Sequence, residues 1–431
     1  MVKAFLAHKK QKANGNTSSH VQLRKYHDAI LWGSQQAKQL LPRAYYDDIE
    51  KFLTSLRKET VDAKKEGKLD EQEADPISWS LFKLILSWAL DTYNIFVWTY
   101  SILQWNCMAR SVNIGSLGFH NFRAGKDHIV CCYDDTKSDQ TGEKCTDKHI
   151  YANPLEPTVC PFLALAVFFS LESLHLSETE KLFQADGQTT AASQRYCGQL
   201  SEFFKGNNDN LQGYIRSDHA NSHGIRKGSA TKVTSGTTLP PPTSSIAARG
   251  EWSLGRILDI YWHFAEPGDH YLGRCLAGLD PNSEDFAILP PHFTVGNPME
   301  NVRIREAVEL MYGPSLQQWA GTKDLDRTAL FCNVLPSLVY HSDEFLQSTI
   351  RRVPGHPFAG IPLVNNPALL RDLKELVTIK PSPQISTPTG IPPHVHHAKL
   401  TTSCLELCKE TLTEVKSMAA DVKKAVCDAI E

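Results

Sequence analysis

The sequence predicts a mostly α-helical protein with a small β-hairpin, in the α+β class. Residues 18–58 place apolar side chains at helical spacing. Two short runs, 128–133 and 148–151, are typical of strands, and the turn residues at 138–142 between them favour a hairpin. In 399–431, apolar residues alternate spacings of three and four, which predicts a coiled-coil helix at the end of the chain.

Composition is that of a globular protein with more than one core. The chain has 431 residues, 41% of them hydrophobic and 22% charged, so we expect two or three domains. No apolar leader opens the sequence, and the apolar runs 81–90 and 162–169 are too short to span a bilayer. These features predict a soluble intracellular chain with no membrane partner.

The cysteines predict reduced thiols. There are eleven of them, an odd number without a regular spacing, which is unlike a disulfide framework. No Cys-x-x-Cys pair recurs at zinc-binding spacing, so the sequence predicts no structural metal. The cluster His394, His396 and His397 could bind a metal, but short His-rich tracts are more often polar tails.

Patterning divides the chain into seven segments. They are a basic flexible tail (1–17), a helical domain (18–61), a charged linker (62–75), a larger domain (76–293), a helical accessory region (294–379), a Pro/Ser/Thr linker (380–398) and the coiled-coil helix (399–431). Asp75 as an N-cap with Pro76 at the first helical position predicts that the larger domain starts with a helix.

Candidate chemistry is concentrated between Ser222 and Trp262. His223 and Arg226 lie three apart, on one face of a helix, where a guanidinium fork and an imidazole can bracket one phosphate. Trp252 follows, and Tyr261, nine positions later, could supply a nucleophile. A single His-x-x-Arg is common by chance, and Tyr271 is a rival nucleophile.

Two further cations precede this stretch. Arg110 ends an apolar helical run, and Lys137 lies in the predicted hairpin, with Lys144 as the alternative lysine. The ordered series Arg, Lys, His-x-x-Arg, Trp, Tyr resembles the tyrosine recombinases, the phage-integrase-like enzymes that break and rejoin DNA. The stretch 105–169, GEWSLGRILDIYW and Leu289–Phe293 look most like the eukaryotic Crypton-type members and their algal and oomycete relatives. The resemblance covers about 18–293 and continues more weakly to 395.

The resemblance implies a fold and a mechanism. Residues 18–61 would be a DNA-clamping helical domain and 76–293 the catalytic domain. Arg110 and Arg226 would neutralise a scissile phosphate, Tyr261 would attack it, and Lys137 would protonate the leaving 5′ oxygen. His223 would move the tyrosine proton and Trp252 would pack on the phosphate. The implied partner is double-stranded DNA, with a homo-oligomer, dimer or tetramer, acting in the nucleus and without cofactor.

Some features set limits to this interpretation. Asn113 stands where many members of the family carry an acid that orients the site. The net charge of −3 argues against a histone-like binder, although local basic stretches near residues 1–25 and 216–256 suit phosphate contacts. One alternative is a domesticated DNA-binding protein with an inactive site, as in a Crypton-derived fungal kinetochore component. Another is an interaction scaffold built on the coiled coil.

The heptad seam of the final helix predicts self-association. Its members are Leu405, Cys408, Leu412, Val415, Ala419, Val422, Val426 and Ala429. The alternative is an amphipathic helix that docks on its own domain.

Overall fold

The computed structural model describes residues 1–11, 17–39, 41–66, 74–136, 141–142, 145–171, 181–184, 189–207, 211, 213–214, 220–255, 266–318 and 325–430. The chain divides into two compact units, Met1–Glu73 and Ala74–Glu431. It is mostly helical with a few short antiparallel strands, which confirms the predicted class. Within the described ranges, no helix has both the length and the apolar character needed to cross a membrane.

The first unit contains three helices, α1 (Val2–Lys10), α2 (His20–Gln36) and α3 (Arg43–Lys65). The expectation of a flexible tail is wrong for residues 2–10. Leu6 of α1 is fully buried against Leu23 and Leu53, because α2 and α3 need this third apolar face to complete their small core.

Basic residues of the first unit pair with acids on α3. Lys3 contacts Asp48, Lys10 contacts Glu59, and the guanidinium of Arg24 lies 3.3 Å from the Glu50 carboxylate. These cations therefore contribute to contacts within the unit rather than to a free basic arm. Helix α3 also continues to Lys65, beyond the predicted start of the linker at residue 62.

The second unit is built from thirteen further described helices. They are α4 (Trp79–Asp91), α5 (Ile95–Asn106), α6 (Ser111–Ser116), α7 (Pro161–Leu171), α8 (Ala192–Gly206), α9 (Ser222–Ser235), α10 (Thr243–Arg249), α11 (Glu266–Leu276), α12 (Val302–Gln318), α13 (Leu325–Tyr340), α14 (Ser348–Arg352), α15 (Pro367–Lys374) and α16 (Pro393–Ile430). Residues Ser342–Gln347 form a π-helical turn before α14.

Helix α4 begins later than the sequence predicted. Ser78, not Asp75, caps it, since the Ser78 hydroxyl accepts a hydrogen bond from the Leu81 amide at 3.2 Å. The preceding segment packs on α9 instead, where the Ile77 amide donates to the Gly224 carbonyl at 2.9 Å. A Cβ at Gly228 would lie 1.9 Å from the Ile77 carbonyl oxygen, so this close approach requires glycine.

The predicted hairpin is present within a three-stranded antiparallel sheet. Its strands are β1 (Phe122–Ala124), β2 (Ile129–Cys131) and β3 (Lys148–Ile150), in the order β1-β2-β3. Val130 pairs with His149, and β1, which the sequence reading missed, pairs with β2. A second pair, β4 (His292–Phe293) with β5 (Val377–Thr378), joins two distant parts of the unit.

One hydrophobic core extends from Ile77 to Val395, which corrects the predicted division after residue 293. Helix α7 is buried along nearly its whole length, so other elements must pack against every side of it. Helices α5 and α13 both pack against it. The region 294–379 is therefore part of the same core rather than an appended accessory region.

The predicted linker 380–398 also contributes to the core unit. The Thr389 amide donates to Asp127 Oδ2 at 2.8 Å, and its hydroxyl donates to Asp127 Oδ1 at 2.7 Å. Helix α16 begins at Pro393 within this segment, and the His394 ring lies 3.0 Å from the Pro281 carbonyl oxygen. Seam residues farther along α16, such as Leu412 and Val422, are more than half exposed.

Candidate functional site

A buried glutamine joins the two sequence motifs that supply the candidate cations. The Gln104 side chain, on α5, donates to the Ala109 carbonyl at 3.3 Å and to the Ser222 carbonyl at 3.0 Å. Ala109 precedes Arg110, and Ser222 precedes His223. This amide therefore holds the N-terminal ends of α6 and α9 together, although the motifs lie more than 100 positions apart in the chain.

Arg110 and Asn113 share one carboxylate. Arg110 Nη1 lies 3.0 Å from Glu251 Oε2, and Asn113 Nδ2 donates to Glu251 Oε1 at 3.3 Å. Glu251 was not among the residues predicted from the sequence, because no motif or spacing singles it out. Its carboxylate provides the negative charge that Asn113 lacks, so the arginine is oriented by an acid from a different segment.

Arg226 lies against the same turn. Its Nη2 donates to the Gly250 carbonyl, and its guanidinium carbon is 5.6 Å from the centre of the Trp252 ring. The residue is 3% exposed, and among the described residues its Nη1 atom has no hydrogen-bond partner. Burial, and then the charge of Arg110, lower the pKa of Arg226, while Glu251 acts to raise it. An anion placed at Nη1 would complete the coordination of this guanidinium.

His223 belongs to the same electrostatic cluster. It is exposed at the first turn of α9, where the Asn221 side chain caps the helix by accepting from the His223 amide at 2.9 Å. Partial burial lowers the pKa of His223, and the charges of Arg226, Lys227 and Arg110 lower it further. Its imidazole is therefore neutral at pH 7 and can accept a proton.

The turn after α10 presents Glu251 and Trp252 to the arginines. Glu251 has φ = 53°, a left-handed conformation that costs a non-glycine residue about 1–3 kcal/mol. A Cβ at Gly250 would lie 2.8 Å from the Trp252 ring, so only glycine lets the indole fold back over it. The strained backbone at Glu251 is consistent with a carboxylate that is held for function.

Two predicted positions, Lys137 and Tyr261, lie outside the described residues, as does the alternative lysine Lys144. The rival nucleophile Tyr271 is described. Its hydroxyl donates to the Leu239 carbonyl at 2.7 Å, and burial raises its pKa. Both effects oppose formation of a phenolate, so the structure disfavours Tyr271 as a nucleophile.

The hairpin contains a buried lysine, Lys148, that was not among the residues predicted from the sequence. Lys148, on β3, is 1% exposed, and its ammonium lies 4.1 Å from the centre of the Tyr133 ring. Burial raises the pKa of Tyr133, so its phenol is uncharged at neutral pH. Lys148 is therefore a buried cation of the sheet, in contact with an aromatic ring.

A buried ion pair between Arg249 and Asp269 holds the end of α10, just before the turn that carries Glu251. Arg249 donates through Nε and Nη2 to the two Asp269 oxygens at 2.8 and 2.5 Å, and its Nη1 donates to the Asn106 carbonyl at 2.9 Å. Burial acts to raise the pKa of Asp269, but Arg249 and hydrogen bonds from His149 outweigh it and hold that pKa low.

The basic stretch 216–256 therefore differs from its expected role as a surface for phosphates. Arg249 is fully buried, Lys232 lies 3.2 Å from the centre of the Trp79 ring, and Lys227 donates to the Ala74 carbonyl. Of the four described cations in this stretch, only Arg226 has a buried side-chain nitrogen without a hydrogen-bond partner.

Comparison with protein-family models, with curated proteins and with solved structures found no match. The assignment of a function therefore rests on the residues and geometry described above.

Proposed function

We propose that this chain is a site-specific DNA recombinase of the tyrosine recombinase type, acting on double-stranded DNA in the nucleus. The observation that carries the proposal is the unpartnered Nη1 atom of Arg226, buried beside Trp252 and within electrostatic reach of Arg110. A guanidinium with an unpartnered donor, close enough to a second arginine to feel its charge, suits the non-bridging oxygens of a phosphodiester.

The proposed reaction is a transesterification. The Tyr261 oxygen attacks phosphorus while the bond from phosphorus to the 5′ oxygen breaks, which leaves a 3′-phosphotyrosine. His223, neutral at pH 7, accepts the tyrosine proton, and Lys137 donates a proton to the departing 5′ oxygen. A second strand's 5′-hydroxyl then reverses the step, so no nucleotide is consumed.

Trapping of the covalent intermediate tests the proposal. Nicked duplexes are tiled across the genomic DNA on either side of the coding sequence, so that cleavage releases a short strand and rejoining fails. We expect the wild-type chain to form an adduct that survives denaturation and Tyr261→Phe to form none. Tyr271→Phe is the matched control and should form the adduct normally.

An adduct that persists in Tyr261→Phe would contradict the assigned nucleophile. DNA binding without any adduct from the wild-type chain would favour the second candidate, a DNA-binding protein with an inactive site. The contact between Glu251 and Arg110 favours that alternative, since the carboxylate occupies one of the two arginines.

The proposal includes self-association through α16. The seam residues Leu405, Leu412 and Val422 are more than half exposed, so the helix does not bury them on its own unit. A second copy could cover them by heptad packing, and recombination needs paired DNA sites.

Lysines placed in the seam are expected to dissociate the assembly. Leu412→Lys with Val415→Lys should reduce the sedimentation mass of the full chain to that of one copy, because charge cannot be buried between the helices. The matched control, Thr413→Lys with Ser417→Lys, adds the same charge on another face of the helix and should leave the mass unchanged. A wild-type chain that sediments as a monomer at all concentrations would contradict the proposal.

A further inference from the structure

Three histidines from distant segments meet on one face of the hairpin. His128 immediately precedes β2, His149 is the middle residue of β3, and His270 lies on α11. One nitrogen from each lies within 4.8 Å of the others, and all three residues are buried. The centres of the His149 and His270 rings are 3.9 Å apart. This cluster is separate from the arginines of the candidate site.

Each imidazole is oriented by a hydrogen-bond partner at Nδ1. His149 Nδ1 lies 2.8 Å from Asp269 Oδ2, His128 Nδ1 lies 3.1 Å from Asp127 Oδ1, and His270 Nδ1 lies 2.6 Å from the Tyr151 hydroxyl. Carboxylates or hydroxyls behind the ring are the usual arrangement around metal-binding histidines, because they fix the ring and leave the other nitrogen as a ligand.

A carboxylate faces the remaining nitrogens of two of the rings. Glu266 Oε1 lies 3.3 Å from His270 Nε2 and 3.5 Å from His149 Nε2. Glu266 is 64% exposed at the start of α11, so an ion could enter from solvent on this side. Three imidazoles and one carboxylate form the four-ligand set that Zn²⁺ accepts in tetrahedral sites.

The two acids that contact the rings at Nδ1 are each paired with an arginine. Asp269 is neutralised by Arg249, and Asp127 pairs with Arg274, whose Nη2 lies 2.7 Å from Asp127 Oδ2. The two acids therefore orient the rings at Nδ1 while each is paired with an arginine. Among the described contacts, Glu266 is the one carboxylate that faces the Nε2 atoms of His149 and His270.

We propose that His128, His149, His270 and Glu266 bind one divalent transition-metal ion, with Zn²⁺ as the best fit. The ion links β2 and β3 of the hairpin to α11, and this role does not depend on the recombinase proposal. The proposal departs from the expectation of no metal, because the ligands come from segments too far apart to form a spacing motif.

Titration of the full chain with Co²⁺ tests the site, after removal of bound metal with a chelator under reducing conditions. We expect about one equivalent to bind with the strong visible absorption of four-coordinate cobalt. A near-ultraviolet thiolate band should be missing, which distinguishes this site from binding by cysteines. Added Zn²⁺ should then displace the cobalt and bleach the spectrum.

Two variants locate the ion. Glu266→Gln and His270→Gln should each weaken Co²⁺ affinity by about 10–100-fold or more, since even outer partners of a metal site contribute that much. The control His396→Ala with His397→Ala removes two exposed histidines on α16 and should bind normally. Circular dichroism of the metal-free variants checks folding, and the exposed Glu266 keeps the test valid if His270→Gln does not fold.

Three results would overturn the proposal. They are failure of the wild-type chain to bind Co²⁺, a thiolate band in the bound spectrum, and affinity that Glu266→Gln leaves unchanged. In each case the histidines would be a hydrogen-bonded network that joins the hairpin to α11.

Discussion

An Arg226→Lys variant is expected to form the covalent DNA adduct about 10²–10³-fold more slowly than the wild-type chain. Lysine keeps the positive charge but loses the planar fork, so it cannot contact the Gly250 carbonyl and a phosphate oxygen together. The rate is measured in a single turnover on the nicked duplex, with protein in excess. DNA affinity should change little, because the number of charges is the same.

Arg303→Lys is the matched control for this experiment. Arg303 lies on the surface of α12, where it contacts Glu306 and Asp372, so the same substitution there should leave adduct formation unchanged. A rate for Arg226→Lys within about threefold of wild type would show that the Nη1 atom does not bind the reacting phosphate, since one donor to a transition state is worth more than that.

An Asp269→Asn variant is expected to lower the free energy of unfolding by about 3–5 kcal/mol. Asparagine keeps the shape of the side chain but leaves the Arg249 charge buried and uncompensated. Urea denaturation followed by tryptophan fluorescence measures the change, because Trp98 and Trp105 are fully buried in the second unit. The surface substitution Asp343→Asn, which removes a contact with Lys374, should change stability by less than about 1 kcal/mol.

The pH dependence of the free energy of unfolding gives an independent check on the role of Asp269. The pKa of Asp269 is lower in the folded than in the unfolded chain, so its stabilising effect is present above about pH 4 and is lost as the pH falls further. Asp269→Asn should lose this part of the acid dependence. A double variant, Arg249→Met with Asp269→Leu, should recover much of the stability because it removes both buried charges. If Asp269→Asn unfolds like the wild-type chain, the pair does not stabilise the unit.

Local patterns predicted the elements whose residues are close in the chain. The run 162–169 lies within α7, and turn residues between two short strands predicted β2 and β3. The positions Arg110, His223, Arg226 and Trp252 could be selected because their order resembles that of a known family, and the structure brings these four into one electrostatic cluster.

Contacts between distant segments could not be predicted from local sequence patterns. Glu251 lies 138 positions from Asn113, so nothing in the sequence indicates that one compensates for the other. The three histidines of the proposed metal site have no common spacing, and the apolar faces of α12 and α13 do not reveal that they cover α7. Such pairings depend on tertiary packing, which the periodicity of apolar residues within one segment does not specify.

The hydrogen bonds between Thr389 and Asp127 have a consequence for synthesis of the protein on the ribosome. The two residues are 262 positions apart, and Asp127 is fully buried in the folded unit. During translation, the hairpin therefore emerges long before the segment that satisfies its buried acid. The nascent second unit lacks this contact until most of the chain has been made, and in this interval chaperones would be most needed.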